Sequence, residues 1–346
     1  MNHPYQRMTG PKAYARAGVD VDLGNRLKRG IHRLVRRTQG PEVLGKIGGF
    51  GGLFAANFRG MREPVLVASI DGVGTKLKIA FAMNKHETIG ADLVNHCVND
   101  IAVLGAQPLF FLDYIGTGKL EARVFTELLR GLSRACRASK CALIGGETAQ
   151  MPGMYKPGEY DLAGCIIGVV EGKDVIDGRR ITRGDRILGL ASNGLHTNGY
   201  SLARKVLFER LRLKLSSRIP GQRRPLGEEL LRVHKNYQPL LAKMPRGMAH
   251  GLAHITGGGL VDNLPRVLPK NCDAVIDTGS WRPPQIFQFI AEKGNIERAE
   301  MYQVFNMGIG MAVIVGERDV TKAKKILRAH VIGRIERGGG RTILAF

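Results

Sequence analysis

A chain of 346 residues, 44% of them hydrophobic, is too long for one small core and has enough apolar material for two domains. Its 52 lysines and arginines against 30 acidic residues leave a formal charge of +22, which would draw phosphorylated substrates or polyanions; aromatics, at 6%, are too few to interleave with the basic stretches as a stacking platform, so nucleic-acid binding is not expected. No apolar run approaches the roughly 18 residues of a membrane span, the polar start Met1-Asn-His-Pro-Tyr-Gln-Arg7 lacks a secretory core, and five cysteines without a Cys-x-x-Cys pair (Cys97, Cys136, Cys141, Cys165, Cys272) fit reduced core-filling thiols, so the expectation is a cytoplasmic protein.

Leu23, Leu27, Ile31, Leu34 and Val35, with basic residues between them, predict an amphipathic helix over 22–37 that Gly40-Pro41 stops. The five glycines of Gly45-Lys-Ile-Gly-Gly-Phe-Gly-Gly52 form either an anion-binding nest or a plain connector. Val65 to Ile70 reads as a strand emptying into Asp71-Gly-Val-Gly-Thr-Lys76, ahead of a helical run over 77–83. That turn is either an ordinary Asp-Gly turn or a phosphate and metal loop: Gly72 and Gly74 let a ligand approach, Asp71 holds a cation, and Lys76 offsets phosphate charge. It is not a Walker A loop, because Gly-x-x-x-x-Gly-Lys-Ser/Thr is absent from it.

A helix through 91–101 turns Leu93, Cys97, Ile101 and Leu104 inward and sets Asp92, Asn95 and Asn99 in a polar stripe, with His96 and Asp100 beside it. Asn and Asp are poor interior helix formers, so the stripe points to a ligand; the alternative is wet surface. A strand over 108–115, a helix over 121–139, and a strand over 141–144 that runs into Gly145-Gly-Glu-Thr148 follow. A strand over 160–170 closes the first half, and charged turn residues place a domain boundary near 172, giving domains 1–172 and 173–346. The second half repeats the order strand (186–191), polar turn (Ser192 to Gly199), helix (200–210), then passes a basic loop over 212–224. Ala253-His-Ile-Thr-Gly-Gly-Gly-Leu260 precedes a helix from about Val261, so Thr256 and the glycines would aim N–H groups at an anion. A turn and strand over 305–315 follow. The alternation predicts α/β or α+β layers.

Tyr14 to Asp20, Gly48 to Gly52, Asp71 to Lys76, Cys97-Val-Asn-Asp100, Phe111-Leu-Asp-Tyr114, Gly145 to Ala149, Met151-Pro-Gly-Met-Tyr155, His196-Thr-Asn-Gly-Tyr-Ser201, His254 to Gly259 and Phe305 to Met311, in this order, closely resemble the AIR synthetase (phosphoribosylformylglycinamidine cyclo-ligase) family. The resemblance spans about residues 14–335. It implies a two-domain AIR-synthetase-like fold whose N-terminal sheets pair across a homodimer, and ATP-dependent closure of formylglycinamidine ribonucleotide to aminoimidazole ribonucleotide in purine biosynthesis. On this reading Mg²⁺ is held by Asp71 and Asp100 with Asp92 or Asn99 in support, and Thr75 and Lys76 meet phosphate. Gly48, Gly49, Phe50, Gly51 and Gly52 cover the nucleotide beside Gly145, Gly146 and Glu147, the last being a metal or ribose contact or a local turn acceptor. His196, Thr197, Asn198 and Gly199 face the substrate with His254, Thr256, Gly257 and Gly258. Asp71, Lys76, Asp100 and His254 are the catalytic set; each histidine could equally be structural. The chain departs from the family at Val233-His-Lys-Asn-Tyr237, where members commonly read close to Pro-Thr-Arg-Ile-Tyr. Rival readings are a kinase-like or selenophosphate-forming relative, and a basic nucleic-acid binder that kept an enzyme's fold.

Overall fold

The computed structural model describes residues 13–45 and 48–346; the polar start and positions 46 and 47 of the glycine-rich stretch lie outside the described residues. Strands β1 (Pro64–Gly72), β2 (Gln107–Thr117), β3 (Ala142–Gln150) and β4 (Tyr160–Glu171) form one sheet in the order β1-β4-β2-β3, antiparallel except for β2 with β3. Strands β5 (Arg186–Ala191), β6 (Ala249–His254), β7 (Cys272–Asp277), β8 (Ile309–Val315), β9 (His330–Arg337) and β10 (Thr342–Ala345) form a second, in the order β10-β7-β9-β5-β8-β6. There only β10 and β7 run parallel.

Twelve α-helices fill the connections among the described residues: α1 (Ala13–Arg16), α2 (Val21–Arg36), α3 (Leu77–Met83), α4 (Glu87–Ala102) and α5 (Ala122–Ala138) with the first sheet. With the second come α6 (Tyr200–Arg204), α7 (Leu226–Leu230), α8 (Gln238–Leu241), α9 (Gly259–Asn263), α10 (Gln285–Gly294), α11 (Arg298–Val304) and α12 (Val320–Leu327). The mixed layering matches the expected fold class.

Asp20 starts α2 by accepting the Leu23 N–H at 2.8 Å, and Leu23, Leu27 and Ile31 turn toward the core that α5 shares. Helices α4 and α5 cross closely because two glycines leave room. A Cβ on Gly90 would meet the Leu128 carbonyl oxygen at 2.2 Å, and one on Gly131 the Glu87 oxygen at 2.0 Å. Leu93, Cys97 and Ile101 of α4 are fully buried with Phe111 and Ile166 of the sheet, whereas Leu104, also expected inward, lies past the helix end and is exposed; Leu93→Ala or Ile101→Ala would cost about 2–5 kcal/mol. Four of the five free cysteines are buried and Cys165 is half-buried.

Two expected glycine turns are strand instead. Asp71 and Gly72 stay paired with Gly164 and Ala163 of β4, so the ladder, not a flexible loop, holds Asp71. The turn begins at Val73, where Gly74 takes φ 68° before a 3₁₀ turn leads into α3. Likewise β3 continues through Gly145, Gly146 and Glu147 to Gln150, paired with β2. Glycine is needed there for close approach, since a Cβ on Gly146 would lie 2.5 Å from Asp113 Oδ1. In the second half α6 loosens into a π-helical stretch over Lys205–Arg210, and α9 starts at Gly259, two residues before the predicted point.

Strand β1 is an edge strand whose outer residues stand clear of the protein, Leu66 at 61% and Ile70 at 71% exposure.

Candidate functional site

The polar stripe of α4 faces protein: Asp92 and Asn99 are fully buried and Asn95 is half-buried. It grips the backbone of residues 232–237, an extended segment of the second half with no strand partner of its own. Asp92 accepts the His234 N–H at 2.6 Å, Asn95 donates to the His234 carbonyl at 2.7 Å, and Asn99 donates to the Lys235 carbonyl while accepting the Tyr237 N–H. From β5's following turn, Asn193 donates to the Val233 carbonyl. Buried backbone groups must be paired, and here side chains replace a ladder.

Lys76 belongs to the same bracket. Its ammonium, at 0% exposure, lies 2.9 and 2.8 Å from the two Asp92 oxygens and donates to the Arg232 carbonyl at 2.6 Å. Burial pushes the Lys76 ammonium down and the Asp92 carboxyl up, each opposed by the other's charge. This corrects three expectations: Lys76 is not placed to meet phosphate, Asp92 is not placed as a metal ligand, and both ends of the Asn99 amide are already spent on the bracket. Thr75 remains at the surface, its hydroxyl 3.0 Å from that of Ser201.

Asp71 and Asp100 do converge. They line an open cleft between the sheets with Ser69, Ile70, His254, Thr256 and Arg266. His96 stands between the two carboxylates: its Nε2 is 2.8 Å from Asp71 Oδ2 and 3.9 Å from Asp100 Oδ2. Ser69 donates to Asp100 Oδ2 at 3.2 Å, and His254 Nδ1 lies 2.7 Å from Asp100 Oδ1. Burial works to raise both carboxyls, but His96 beside Asp71 and His254 beside Asp100 outweigh it and hold both below the usual range. Burial also opposes a charge on His96, yet the neighbouring Asp71 and Asp100 carry its pKa above the ordinary imidazole value.

Behind the cleft four histidines pack together. His96 Nδ1 is 2.9 Å from Thr197 Oγ1, Thr197 Oγ1 is 3.2 Å from His234 Nδ1, and His234 Nε2 is 3.0 Å from His254 Nε2. The His196 ring stacks on His234 at 4.1 Å. Burial holds His196 and His234 well below the ordinary imidazole value and His254 below it. Both His254 nitrogens are therefore engaged, one with Asp100 and one with His234, so His254 positions Asp100 and offers no free nitrogen to a substrate. His196 and Thr197 are buried in this cluster, away from the cleft. Asn198 is half-buried, its oxygen beside Gly257, and donates to Thr197 Oγ1. Gly199 supplies the left-handed residue that opens α6, and Gly258 does the same for α9. Thr256 and Gly257 fold back onto Asn263.

The glycines gather elsewhere. Gly48 to Gly52 border a second cleft with Gly145, Gly146, Glu147 and Thr148, walled by Asp113, whose carboxyl burial pushes up to about 7. Glu147 is a local acceptor there, taking the Thr148 N–H at 2.6 Å. In sheet register Asp71, Gly164, Asp113 and Gly146 form one row, so the clefts are about 14 Å apart, three strand spacings. Buried Cys97, its sulfur 3.5 Å from the Gly164 carbonyl, packs over the row between them. The residues expected to share one nucleotide are thus split into two groups within the chain. Asp113 and His234 escaped the sequence reading as site residues; Asp113 sits in a quoted motif and His234 in the segment that departs from the family, so both were signalled only by position.

Two sheets meeting at a carboxylate-lined seam define a two-domain α/β protein with an interdomain site. Residues 55–170 match the family profile described as AIR synthase related protein, N-terminal domain, and residues 182–345 the one described as AIR synthase related protein, C-terminal domain; the chain belongs to the AIR synthase related family. Among its relatives, phosphoribosylformylglycinamidine cyclo-ligase of Syntrophotalea carbinolica is 54% identical over 91% of this chain and 89% of its own length. The protein of the same name from Thermoanaerobacter sp. strain X514 is 50% identical over 96% and 99%. Solved structures share the fold: thiamine-monophosphate kinase from Stenotrophomonas maltophilia K279a superposes with TM-score 0.67 at 18% identity, covering 91% of this chain and 95% of that one. Hydrogenase maturation protein HypE in complex with ATP gives 0.64 at 16% identity, covering 97% and 92%. Among the described residues no helix is long and apolar enough to cross a membrane.

Proposed function

We propose that this chain performs the reaction its cyclo-ligase relatives are named for: ATP-dependent closure of formylglycinamidine ribonucleotide to aminoimidazole ribonucleotide, with release of ADP and phosphate. Identity near one half across more than nine tenths of the chain carries this reading. An amide oxygen is a poor leaving group. In the proposed course the formyl oxygen attacks the γ-phosphorus of ATP, ADP departs, and the formamide nitrogen gives up its proton to solvent, leaving an iminophosphate. The amidine nitrogen then attacks the formyl carbon, loses a proton, and the former formyl oxygen leaves as phosphate. Catalysis of this kind is mainly positioning and charge neutralisation.

The Asp71 and Asp100 cleft is where we place the ATP phosphates. A divalent ion fits the residues present, because the Asp71 and Asp100 carboxylates line one cleft and converge on the same buried nitrogen, His96 Nε2, at 2.8 and 3.9 Å. Mg²⁺ held by Asp71 and Asp100 would offset the triphosphate charge. The chain's own groups do the rest in this reading: the β1 ladder fixes Asp71, Ser69 and His254 fix Asp100, and Arg266 on the opposite wall offers a cation to the ribonucleotide phosphate. The glycine cleft is left outside that contact within one chain. Residues 1–172 carry the carboxylates and the exposed β1 edge, through which we propose that two copies pair; residues 173–346 complete the seam.

The test is ADP release on adding formylglycinamidine ribonucleotide, with and without Mg²⁺, in the wild type and in Asp71→Asn. Loss of a charged ligand on the triphosphate should lower turnover by at least about 100-fold, the scale set by removing one electrostatic partner of a transition state. Undiminished turnover in a folded Asp71→Asn protein would end this assignment.

A further inference from the structure

Every carboxylate lining the Asp71 and Asp100 cleft among the described residues already has a nitrogen beside it. Asp71 Oδ2 lies 2.8 Å from His96 Nε2, Asp100 Oδ1 lies 2.7 Å from His254 Nδ1, and Asp177 Oδ2 lies 3.0 Å from Arg179 Nε. The single lysine or arginine lining the cleft among those residues, Arg266, pairs with none of these carboxylates. It donates instead from Nη1 to the side-chain oxygen of Asn263 at 3.3 Å. An amide oxygen accepts without neutralising, so the guanidinium keeps its whole charge. Asn263 is itself fixed. It is 2% exposed, and its Nδ2 donates to the Gly257 and Gly259 carbonyls at 3.1 and 2.8 Å, two acceptors that settle which way the amide faces. Oδ1 is thereby turned to Thr256 Oγ1 and Arg266 Nη1, each 3.3 Å away. The main chain of Arg266 is held separately, because Leu264, at 0% exposure, anchors the 3₁₀ turn Leu264–Arg266 that carries it.

We propose that Asn263 is the positioning residue for the substrate's phosphate: it holds Arg266, undiminished in charge, toward a phosphate monoester, and so makes the cleft distinguish a ribonucleotide from the ribonucleoside that lacks this group. Resting on the cyclo-ligase reading for the identity of the substrate, this assignment adds the residue that sets its phosphate preference. Arg266 is the group that touches phosphate, and Asn263 acts through it. A guanidinium recognises phosphate through two parallel N–H donors, and the tether at Nη1 leaves the Nε and Nη2 edge for that purpose. Arginine is rich in rotamers, so one whose head is restrained before the ligand arrives gives up less freedom on binding. The head is nevertheless exposed, as access to the cleft requires. A carboxylate at position 263 would hold Arg266 equally near, yet it would cancel the charge and would lack the Nδ2 donor that both glycine carbonyls use.

The experiment is calorimetric titration of the full-length protein, without ATP, with formylglycinamidine ribonucleotide and with formylglycinamidine ribonucleoside. The wild type should bind the ribonucleotide at least about tenfold more tightly, the scale of one hydrogen bond to a charged group. Arg266→Met, at an exposed position, should remove most of that preference and leave ribonucleoside affinity as it was. Asn263→Asp should do the same, and the double variant should bind the ribonucleotide no more weakly than Arg266→Met alone, because both changes act on one contact. Circular dichroism checks folding, and Asn263→Ser, which cuts the tether without adding charge, should also lose the preference if Asn263→Asp does not fold. A wild type that binds the two ligands alike overturns the proposal, as does an Arg266→Met protein that keeps the preference. So do Asn263 variants that weaken both ligands equally, which is the mark of a merely structural role. Because no turnover is measured, these failures are distinct from failure of the cyclo-ligase reading, which ADP release decides.

Discussion

Replacing Lys76 by Met separates two accounts of this residue. Were Lys76 a phosphate ligand, Lys76→Met would fold as the wild type does and lose only nucleotide-dependent rate. Its ammonium is instead enclosed, donating to Asp92 Oδ1 and the Arg232 carbonyl and lying 2.8 Å from Asp92 Oδ2. Met fills the same volume but leaves a carboxylate buried without its counter-charge and a carbonyl without its donor. Breaking one half of a buried ion pair costs about 3–5 kcal/mol, which for a domain of this size lowers the melting temperature by roughly 6–20 °C. Removing both partners together strands no charge, so Lys76→Met with Asp92→Leu should be less damaging than the sum of the two single changes, although the His234 N–H and the Arg232 carbonyl stay unpaired. Urea denaturation of the wild type, both single variants and the double variant gives the coupling energy directly. A single Lys76→Met variant of wild-type stability, with only its rate reduced, would refute the bracket.

Acid should weaken the protein through its buried histidines. Burial holds His196 and His234 well below the ordinary imidazole range. Below about pH 6.5 the unfolded chain takes up protons that the folded one refuses, so their contribution is complete above that pH and shrinks as the solution is acidified toward the folded values. The melting temperature should therefore fall between pH 7.5 and 5.0, and His234→Gln should flatten the slope; an unchanged slope contradicts neutral burial. At the β1 edge, Leu66→Lys should convert the proposed dimer to monomer by light scattering without unfolding it, and a dimer that survives this change uses another surface.

The fold was largely legible because its signals are local. The apolar steps of α2 and α4 and the strand runs at 65–70 and 160–170 follow from side-chain period alone. Glycine misled in two places, at Gly72 and at Gly145 and Gly146, because a residue that permits a turn also permits a strand to lie against a crowded neighbour. The convergence of Asp71 and Asp100 was anticipated from the family resemblance, and each carboxylate does sit where two segments meet. The partners of Lys76 and the Asp92 stripe were not legible, since the groups they satisfy lie 136 to 156 positions away along the chain. An amphipathic pattern records that a helix face is polar; it does not record whether that face meets solvent, ligand or another stretch of backbone. The histidine chain is equally nonlocal, assembling side chains from α4, the turn after β5, the 232–237 segment and the end of β6.

The grip of α4 on residues 232–237 also governs how halves of this protein could be exchanged with those of its relatives. Because three side chains of one half supply hydrogen bonds that the other half's main chain lacks, a chimera joined near residue 172 inherits a working joint only if Asp92, Asn95 and Asn99 travel with a partner segment that fits them. Transplanting the second half alone onto a foreign first half would strand amides and carbonyls in a dry seam, so the two halves are expected to be interchangeable as a matched set rather than piece by piece.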